Sequence, residues 1–496
     1  MLSSHKRLAV LLLLGVATLA SSKSIGSNVS FLPKLHEKDV SALTSSVDIA
    51  SASYSPQEIR GGGLPATPTS QELKGTAIFL VLDHLFRVVF KKYGIAFPSQ
   101  LGGCCILFTL MLLMNVVVKG SGDAVFQYLS PGSGLLARWI AVFFVPGLAM
   151  LPNAPSMGNA VEILKVLAVV VVGFYYSAAT TAFAVLGLRK MQGTVTTAAA
   201  SAGPKAPAAK PYSPELVDFL LKSFILSGAI SIGASLSGNE YATPLRAIFM
   251  TITTFFGYIW GARLPAAFVK IVHPLVTSTA VTLVVTQILS MITGKSFNNV
   301  LATYKSGSMD FMKAGAGDIL LYLLGPSVVS FAIAVYSRKD QIAQNFLTVM
   351  TSMFIGSAGG LFGTAFFVRL LNLGGATGSV LRKSMLPRNV TTPLAIAITQ
   401  IIKGNVSQAC AVVVLTGIYG ATFGASFMDA CGVTDPVSRG MGIGASGQGL
   451  GVASIMHEKE AFPFAALSMV LTAVAATTLV SIPAFADALV NVACGK

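Results

Sequence analysis

The sequence predicts an all-α polytopic membrane protein with about 12 to 13 transmembrane or re-entrant helices. Hydrophobic residues make up 53% of the 496 residues and charged residues only 11%, whereas soluble proteins carry about a quarter charged residues. Mean hydropathy is +0.73, and the apolar residues fall into separate stretches close to the ~20 residues that cross a bilayer. This composition excludes a soluble enzyme, a disordered chain and a fibrous protein.

The N-terminal part of the chain, before residue 76, lies outside the predicted membrane helices. Residues 1–22 have the order of a signal peptide, because the basic group His5–Arg7 precedes an apolar run over 8–20 and then Ser21-Ser22. A first transmembrane helix is the alternative, although the run is short for one. Residues 23–75 are rich in Ser, Thr, Gly and Pro and lack an apolar period, which predicts a disordered, transit-like leader. A signal peptide followed by such a leader resembles the two-part address of proteins delivered to plastids, and plain secretory delivery to a membrane is the alternative.

The remaining chain divides into two membrane halves. A low-complexity, flexible linker over 191–214 separates the first half, residues 76–190, from the second, residues 215–496. Several apolar stretches of the second half are interrupted by Gly or Pro. Backbone freed from helix survives at membrane depth only where it lines protein or a wet cavity, so the interruptions indicate a site. The predicted stretches are 76–90, 101–118, 135–151 and 161–188 in the first half, and 216–236, 244–260, 271–292, 318–336, 346–371, 385–402, 409–428, 437–456 and 462–485 in the second.

Two stretches of the second half resemble each other. Residues 276–288 (VTSTAVTLVVTQI) align without a gap with residues 389–401 (NVTTPLAIAITQI), so that Val276 pairs with Asn389 and Ile288 with Ile401. Three predicted crossings lie between corresponding points of the matched helices, so these would run in opposite directions as an inverted repeat. Paired, interrupted helices in inverted repeats are typical of secondary transporters, whose site lies near the midplane. A shared Thr, Val and Ile composition is the alternative explanation.

The start of the later repeat helix predicts a site for a small anion. Arg388 supplies a cationic fork that suits a carboxylate. Asn389 follows it, and the hydroxyls of Thr391 and Thr392 are placed to cap the first helical turn, whose positive end would face a cavity. An arginine that extends to lipid headgroups is the alternative.

Further candidates lie on the earlier repeat helix and in the last Gly-rich segment. The earlier helix offers the hydroxyls of Thr277, Ser278 and Thr279, and His273 at its start could carry a proton or be an ordinary interfacial residue. The Gly-rich segment, residues 440–451, would let backbone approach a ligand, and close helix packing is the alternative. The candidates at this segment are Asp435 as a helix cap with Arg439 beside it, and Ser446 and Gln448 as substrate ligands.

The net charge, the cysteine content and the absence of enzyme motifs exclude several classes of function. The net charge of +15 usually lies in the loops on one side of a polytopic protein, so it does not indicate nucleic-acid binding. The five cysteines are too few and too scattered for a disulfide framework or a zinc site. The sequence contains no phosphate-binding loop, zinc-protease motif or nucleophile elbow. We therefore expect no cofactor, no metal and no enzymatic activity, with an intramembrane enzyme as the weaker alternative.

Several segments resemble the signatures of the LrgB/CidB family of membrane proteins. Residues 385–397 (MLPRNVTTPLAIA) are similar to its "LPKSVTTPIAIA" signature, with Arg388 in place of Lys. Residues 435–440 and 449–453 resemble "DPVARG…HGIGTA", and residues 324–336 resemble "LLGPATVALAVPLY". In the first half, residues 97–102 and 144–147 resemble the smaller partner protein LrgA.

An LrgA-like domain at 76–190 fused to an LrgB-like transport domain at 215–496 is similar to a family of translocators in the plastid inner envelope. The resemblance implies a secondary transporter that exchanges small 2-hydroxy monocarboxylates, glycolate outward and glycerate inward, in photorespiration. Arg388, Thr391 and Thr392 would then hold the carboxylate, and Ser446, Gln448 and the 277–279 hydroxyls would read the hydroxyl. A holin-like or pyruvate-handling membrane protein of bacterial type is the alternative.

Gln448 departs from the family pattern, which usually has His at this position. Proton coupling would therefore fall to another group, with His273 and Glu458 as candidates, or be replaced by pure exchange. We expect a homodimer embedded in lipid, because moving transport domains usually need a fixed scaffold.

Overall fold

The computed structural model describes residues 68–95, 97–196, 212–265, 268–269 and 272–495. The predicted signal peptide (1–22), the leader up to residue 67 and linker residues 197–211 lie outside the described residues. Across the described ranges the regular elements are helices, and no strand occurs. The predicted all-α class is therefore confirmed.

The described residues of the first half contribute five α-helices. The last of them, α5, is the longest, and α4 is a single short turn that follows α3 directly. The helices are α1 Ser70–Lys92, α2 Ser99–Val117, α3 Ser121–Phe143, α4 Val145–Ala149 and α5 Ala160–Met191.

The second half contributes the remaining helices, with a π-helical turn over Ile355–Gly359 between α13 and α14. They are α6 Pro214–Leu236, α7 Ala242–Ala262, α8 Pro274–Thr293, α9 Phe297–Tyr304, α10 Ala316–Tyr322, α11 Leu324–Tyr336, α12 Lys339–Gln344, α13 Phe346–Phe354, α14 Gly360–Leu370, α15 Ser379–Met385, α16 Thr392–Ile401, α17 Val406–Ala430, α18 Pro436–Ser454, α19 Phe462–Val480 and α20 Pro483–Cys494.

Local chemistry explains where α1 and α3 begin. Thr69 and Glu72 form a capping box, each side chain accepting a hydrogen bond from the other residue's backbone N–H. As a result α1 begins at Ser70, earlier than the expected start of the first membrane half at residue 76. Gly120, with φ 86°, allows the turn from which α3 begins at Ser121. The expected start at residue 135 was too late, because Pro131 is accommodated inside α3.

Ten helical segments of the described ranges are long and apolar enough to cross a membrane. This finding confirms a polytopic membrane protein. The segments are Ser99–Val117, Ser121–Asn153, Ala160–Met191, Pro214–Leu236, Ala242–Ala262, Pro274–Thr293, Ala316–Tyr336, Phe346–Leu370, Val406–Ala430 and Phe462–Val480.

The helix α18 is a hairpin that returns to the side from which it enters. The Nε of Arg439 lies 2.6 Å from Oε2 of Glu458, although a straight helix between these residues would separate them by about 28 Å. The reversal occurs at Gln448, whose φ of 52° and ψ of −152° are not helical. The expectation of one crossing over 437–456 was therefore wrong. We call residues 436–454 the second hairpin and Gly447-Gln448 its tip.

The segment from α15 to α16 reverses in the same way. The backbone N–H of Asn405 donates to Oγ of Ser384 at 2.7 Å, where a straight helix would place these residues about 32 Å apart. The chain turns over Pro387–Thr391, between the two short helices. The expected single crossing over 385–402 was wrong as well. We call residues 379–401 the first hairpin and Arg388–Thr391 its tip.

The two hairpins enter from opposite faces of the bundle. The 25-residue helix α17, about 37 Å long, is the full crossing that lies between them. A long helix followed by a hairpin thus occurs twice in opposite orientation, first as 346–401 and then as 406–454. The expected pairing of 276–288 with 389–401 was wrong, because α8 is one continuous helix with no turn at its centre.

The two sequence halves interlock. Helix α5 of the first half packs on α17, α18 and the α13–α14 segment, and α11 of the second half packs on α1, α2 and α3. One connection is the Tyr336 hydroxyl, which donates to Oδ1 of Asp123 at 2.9 Å. The linker at 191–214 is therefore a boundary in sequence but not in packing.

Candidate functional site

Arg388, in the tip of the first hairpin, is a fully buried cation. Its side chain is 0% exposed. Nη2 donates to the carbonyl oxygen of Gly173 and to Oγ of Ser177, the latter at 2.8 Å, and both acceptors belong to α5. The Nε and Nη1 atoms have no hydrogen-bond partner, and no carboxylate of the described residues pairs with the guanidinium. A buried charge normally has an ionic partner, so this arrangement indicates a place for an anion.

Asn389 connects the tip of the first hairpin to the second hairpin and to the π-helical turn. Its Nδ2 donates to the carbonyl of Gly356 at 2.8 Å and to that of Ala445 at 3.2 Å, while its Oδ1 is buried without a partner. Gly360 makes room for this amide, because a Cβ there would lie 2.4 Å from Nδ2. Such π-turns are frequent at functional sites, and here the turn places a backbone carbonyl within reach of the tip.

Gln448 brings the second tip onto the first. Its side-chain amide donates to the backbone carbonyl of Arg388. A positive φ is uncommon for a residue other than Gly, and such backbone costs of order 1–3 kcal/mol. The close approach of the chain beside it needs Gly420, where a Cβ would lie 2.7 Å from Cα of Gly447. The structure thus brings Gln448 to the tip that contains Arg388 and Asn389.

Thr391 and Thr392 line the start of α16 but do not cap it through their hydroxyls. Thr391 is the N-cap residue, yet its side chain makes no capping bond and its Oγ1 is buried without a partner. Backbone N–H groups of Leu394 and Ala395 already bond to the Thr391 carbonyl, and Pro393 has no N–H to offer. The expected hydroxyl cap was wrong, and the unbonded hydroxyl remains available to a ligand.

Ser446 lies in the second hairpin, but its hydroxyl is already occupied. It donates back to the carbonyl of Gly442 at 2.7 Å within its own helix. It is also fully buried. Its hydroxyl would have to leave this bond to read a substrate.

The candidate residues of α8 lie elsewhere, against α7 and their own helix. The Ser278 hydroxyl donates to the carbonyl of Thr254 at 2.7 Å, and that of Thr279 to Leu275 at 2.9 Å. Thr277 packs against Gly261, with its hydroxyl buried and unbonded. His273 is the N-cap of α8, where its Nδ1 accepts from the Leu275 N–H at 3.2 Å.

Asp435, Arg439 and Glu458 secure the base of the second hairpin. Asp435 is the N-cap of α18, accepts from the Ser438 N–H at 2.9 Å and pairs with Arg189 at 3.0 Å. Arg439 holds both oxygens of Glu458, at 2.6 and 2.9 Å, and also reaches Asp429 at 2.7 Å. Glu458 therefore acts as an ionic partner in this structure.

The electrostatics of Asp435 favour its charged form. Burial alone would raise the pKa of this carboxyl. Hydrogen bonds from Ser438 and from the Thr196 N–H, together with the Arg189 charge, outweigh that effect and place the pKa below its ordinary value. This carboxylate therefore stays ionised and holds the end of α5 to the hairpin.

Sequence reasoning missed the contribution of α5 and α19. Gly173 and Ser177 hold Arg388, and Thr472 of α19 places an unbonded, buried Oγ1 beside Gly356. The Gly173 and Ser177 pair has the i, i+4 spacing of one helix face. A glycine and a serine at this spacing, in a helix rich in Val and Ala, were the sequence signal that could have indicated a contact with a polar group. Among the described residues, no group of three or more His, Cys, Asp or Glu side chains is placed to hold a metal ion.

Comparison with known proteins gives the family. The LrgB-like family matches residues 251–486, an interval that includes both hairpins. The antiholin-like protein LrgB of Bacillus subtilis is 32% identical over 171 residues, which cover 34% of this chain and 71% of that protein. The chain belongs to the LrgB-like family. This LrgB-like chain is also 29% identical over 427 residues to plastidal glycolate/glycerate translocator 1, chloroplastic, of Arabidopsis thaliana, which covers 85% of this chain and 81% of that protein. No solved structure matches the chain.

Proposed function

We propose that this protein is a secondary transporter that exchanges small 2-hydroxy monocarboxylates, glycolate outward and glycerate inward, across the plastid inner envelope. The observation that carries the proposal is Arg388, a buried cation in the tip of the first hairpin that is held against α5 and has no carboxylate partner among the described residues. A substrate carboxylate would supply the missing charge. The name of the Arabidopsis relative supports glycolate and glycerate as the substrates and the chloroplast as the location.

The surroundings of Arg388 favour a small, hydroxylated acid. The tips are tightly closed, with exposure of 0% at Arg388, 2% at Asn389 and 9% at Thr391. The unbonded Oδ1 of Asn389 accepts a hydrogen bond, and the unbonded Oγ1 of Thr391 and Thr472 can donate or accept one. These groups match the hydroxyl and carboxylate of an acid of two or three carbons. A purely apolar ligand would leave them unsatisfied.

The hairpin arrangement supports alternating access. One hairpin reaches the tips from each face, so displacing either one opens Arg388 toward a different side. A site at the meeting point of inverted, interrupted helices is the arrangement of secondary transporters.

The chemistry of the tips favours exchange without proton coupling. Gln448 has no titratable proton in the physiological range. Glu458 is held in an ion pair with Arg439 at the hairpin base. We therefore propose one acid moved for another, so that net charge and protons stay balanced.

Counterflow in proteoliposomes tests the proposal. Vesicles loaded with unlabelled glycerate should accumulate labelled glycolate, and empty vesicles should not. Arg388→Gln should abolish this exchange and Arg388→Lys should retain only a small part, because lysine keeps the charge without the planar fork. Arg369→Gln, at an exposed position of α14, removes the same charge and should leave exchange intact.

Two outcomes would count against the proposal. Exchange that survives in the Arg388→Gln protein would show that the carboxylate binds elsewhere. Leakage of small ions or dyes that does not saturate and needs no internal substrate would instead favour the holin-like alternative, to which the name of the Bacillus subtilis relative points.

A further inference from the structure

We propose that Gly173 and Ser177 of α5 are positioning residues for Arg388, so that the first half of the chain completes the substrate site of the second. This inference rests on the proposed function. The family match covers residues 251–486, and α5 lies outside it. The two hydrogen bonds from Arg388 to α5 join residues that are 215 and 211 positions apart in sequence.

The guanidinium of Arg388 packs directly against Gly173. A Cβ at this glycine would stand 2.2 Å from Nε and 2.5 Å from Cζ of Arg388, which is far inside van der Waals contact. The absence of a side chain is therefore what lets the cation approach the helix. Both residues are buried, and α5 makes an extensive contact with the second hairpin as well.

The two acceptors on α5 fix the orientation of the guanidinium. Nη2 carries two hydrogens, and these go to the Gly173 carbonyl and the Ser177 hydroxyl. Nε and Nη1 remain as the N–H groups available to a substrate. Holding a cationic group in place before binding raises affinity, because the substrate then bears less of the ordering cost.

Ser177 lies on α5 one helical turn after Gly173, and its hydroxyl accepts a hydrogen bond from Arg388. Thr180 differs, because its hydroxyl bonds back to the carbonyl of Tyr176 within α5. These two positions therefore form a matched pair. The Ser177 hydroxyl bonds to Arg388 at the proposed site, whereas the Thr180 hydroxyl bonds only within α5.

The experiment uses the isosteric pair Ser177→Thr and Ser177→Val in the full-length protein, reconstituted for glycolate/glycerate counterflow. Thr and Val have nearly the same shape, so any packing cost is common to both. We expect the Val variant to show a KM for glycolate about tenfold above that of the Thr variant, with a similar maximal rate, because one bond to a charged group is lost. Thr180→Val is the control and should keep the KM of the unmodified protein.

The outcomes separate this inference from the proposed function. Equal KM values for the Thr and Val variants, with exchange abolished by Arg388→Gln, would overturn the positioning role while leaving the transporter intact. Exchange that persists in Arg388→Gln would overturn both. Gly173→Ala provides a second test: we expect it to raise KM further, and a folded Gly173→Ala protein with unchanged KM would also refute the inference.

Discussion

We expect the Glu458→Gln substitution to weaken the base of the second hairpin while leaving the pH dependence of exchange unchanged. Glu458 receives two hydrogen bonds from Arg439, at 2.6 and 2.9 Å, and these close the hairpin where the chain returns to its starting face. Gln keeps the shape of the side chain but removes its charge. The substitution therefore tests whether Glu458 is an ionic brace or a proton carrier.

The expected cost follows from geometry and burial. Removing one partner of a fully buried ion pair costs about 3–5 kcal/mol, whereas an exposed pair contributes below about 1 kcal/mol. The side chains of Arg439 and Glu458 are 10% and 19% exposed, and Gln retains one acceptor. We therefore expect a loss of about 2 kcal/mol, between these limits.

Asp429→Asn is the matched control. Asp429 binds the same arginine through one bond of 2.7 Å, but its side chain is 69% exposed, so we expect a loss below about 1 kcal/mol. Thermal unfolding of the purified proteins in detergent compares the two, and counterflow between pH 6 and 8, a range chosen around neutrality, compares their profiles. Equal unfolding temperatures, or a pH dependence that disappears in Glu458→Gln alone, would refute the brace.

Two further predictions concern the same hairpin. Gly444→Ala should prevent stable folding, because its Cβ would lie 2.1 Å from the carbonyl oxygen of Ala465, whereas Gly449→Ala meets its nearest atom at 3.9 Å and should express normally. Yield of monodisperse protein in detergent checks this, and similar yields would contradict it. Asp435→Asn keeps a capping oxygen but removes the partner of Arg189. Since the pKa of Asp435 is lowered in the folded state, its stabilising contribution is complete above the ordinary pKa of about 3.9 and is lost as pH falls through the lowered value. The variant should therefore unfold earlier than the unmodified protein at pH 7, and the difference should shrink in acid. A difference that is constant with pH would be evidence against this.

The sequence located the tips because their residues are unusual for apolar segments. The order Arg-Asn-Val-Thr-Thr-Pro at residues 388–393 is atypical of an ordinary membrane-spanning helix, and the series of glycines before Gln448 is equally atypical. The composition also predicted a polytopic helical protein. Both predictions depend on residues close together in sequence, so the sequence alone was sufficient to make them.

The hairpin reversals were not predictable by the same reasoning. Reversal at Gln448 depends on a backbone conformation with φ 52°, which the residue type does not favour. Hydropathy also does not distinguish a hairpin that reaches half-way into the membrane from a helix that crosses it. Both give an apolar run of similar length. Hydropathy therefore predicts a full crossing for each of the segments 385–402 and 437–456, where the structure has a hairpin.

The hydrogen-bond partners of Arg388 could not be predicted from the sequence, for another reason. They lie on α5, 215 and 211 positions away in sequence, and no pattern within either half relates them. The hydroxyls of Thr277–Thr279 were chosen from a likeness between the wrong pair of helices. Their bonds to Thr254 and Leu275 follow from the packing of α7 and α8.

The half-depth hairpins shorten the distance that a transported molecule must cover. The first arm of the second hairpin, residues 436–447, is about 18 Å long, roughly half the thickness of a membrane with its headgroups. The barrier between the two aqueous compartments is therefore concentrated in the thin layer of protein where the two tips touch. Under the proposed function, displacement of one hairpin would change which compartment an acid seated there faces.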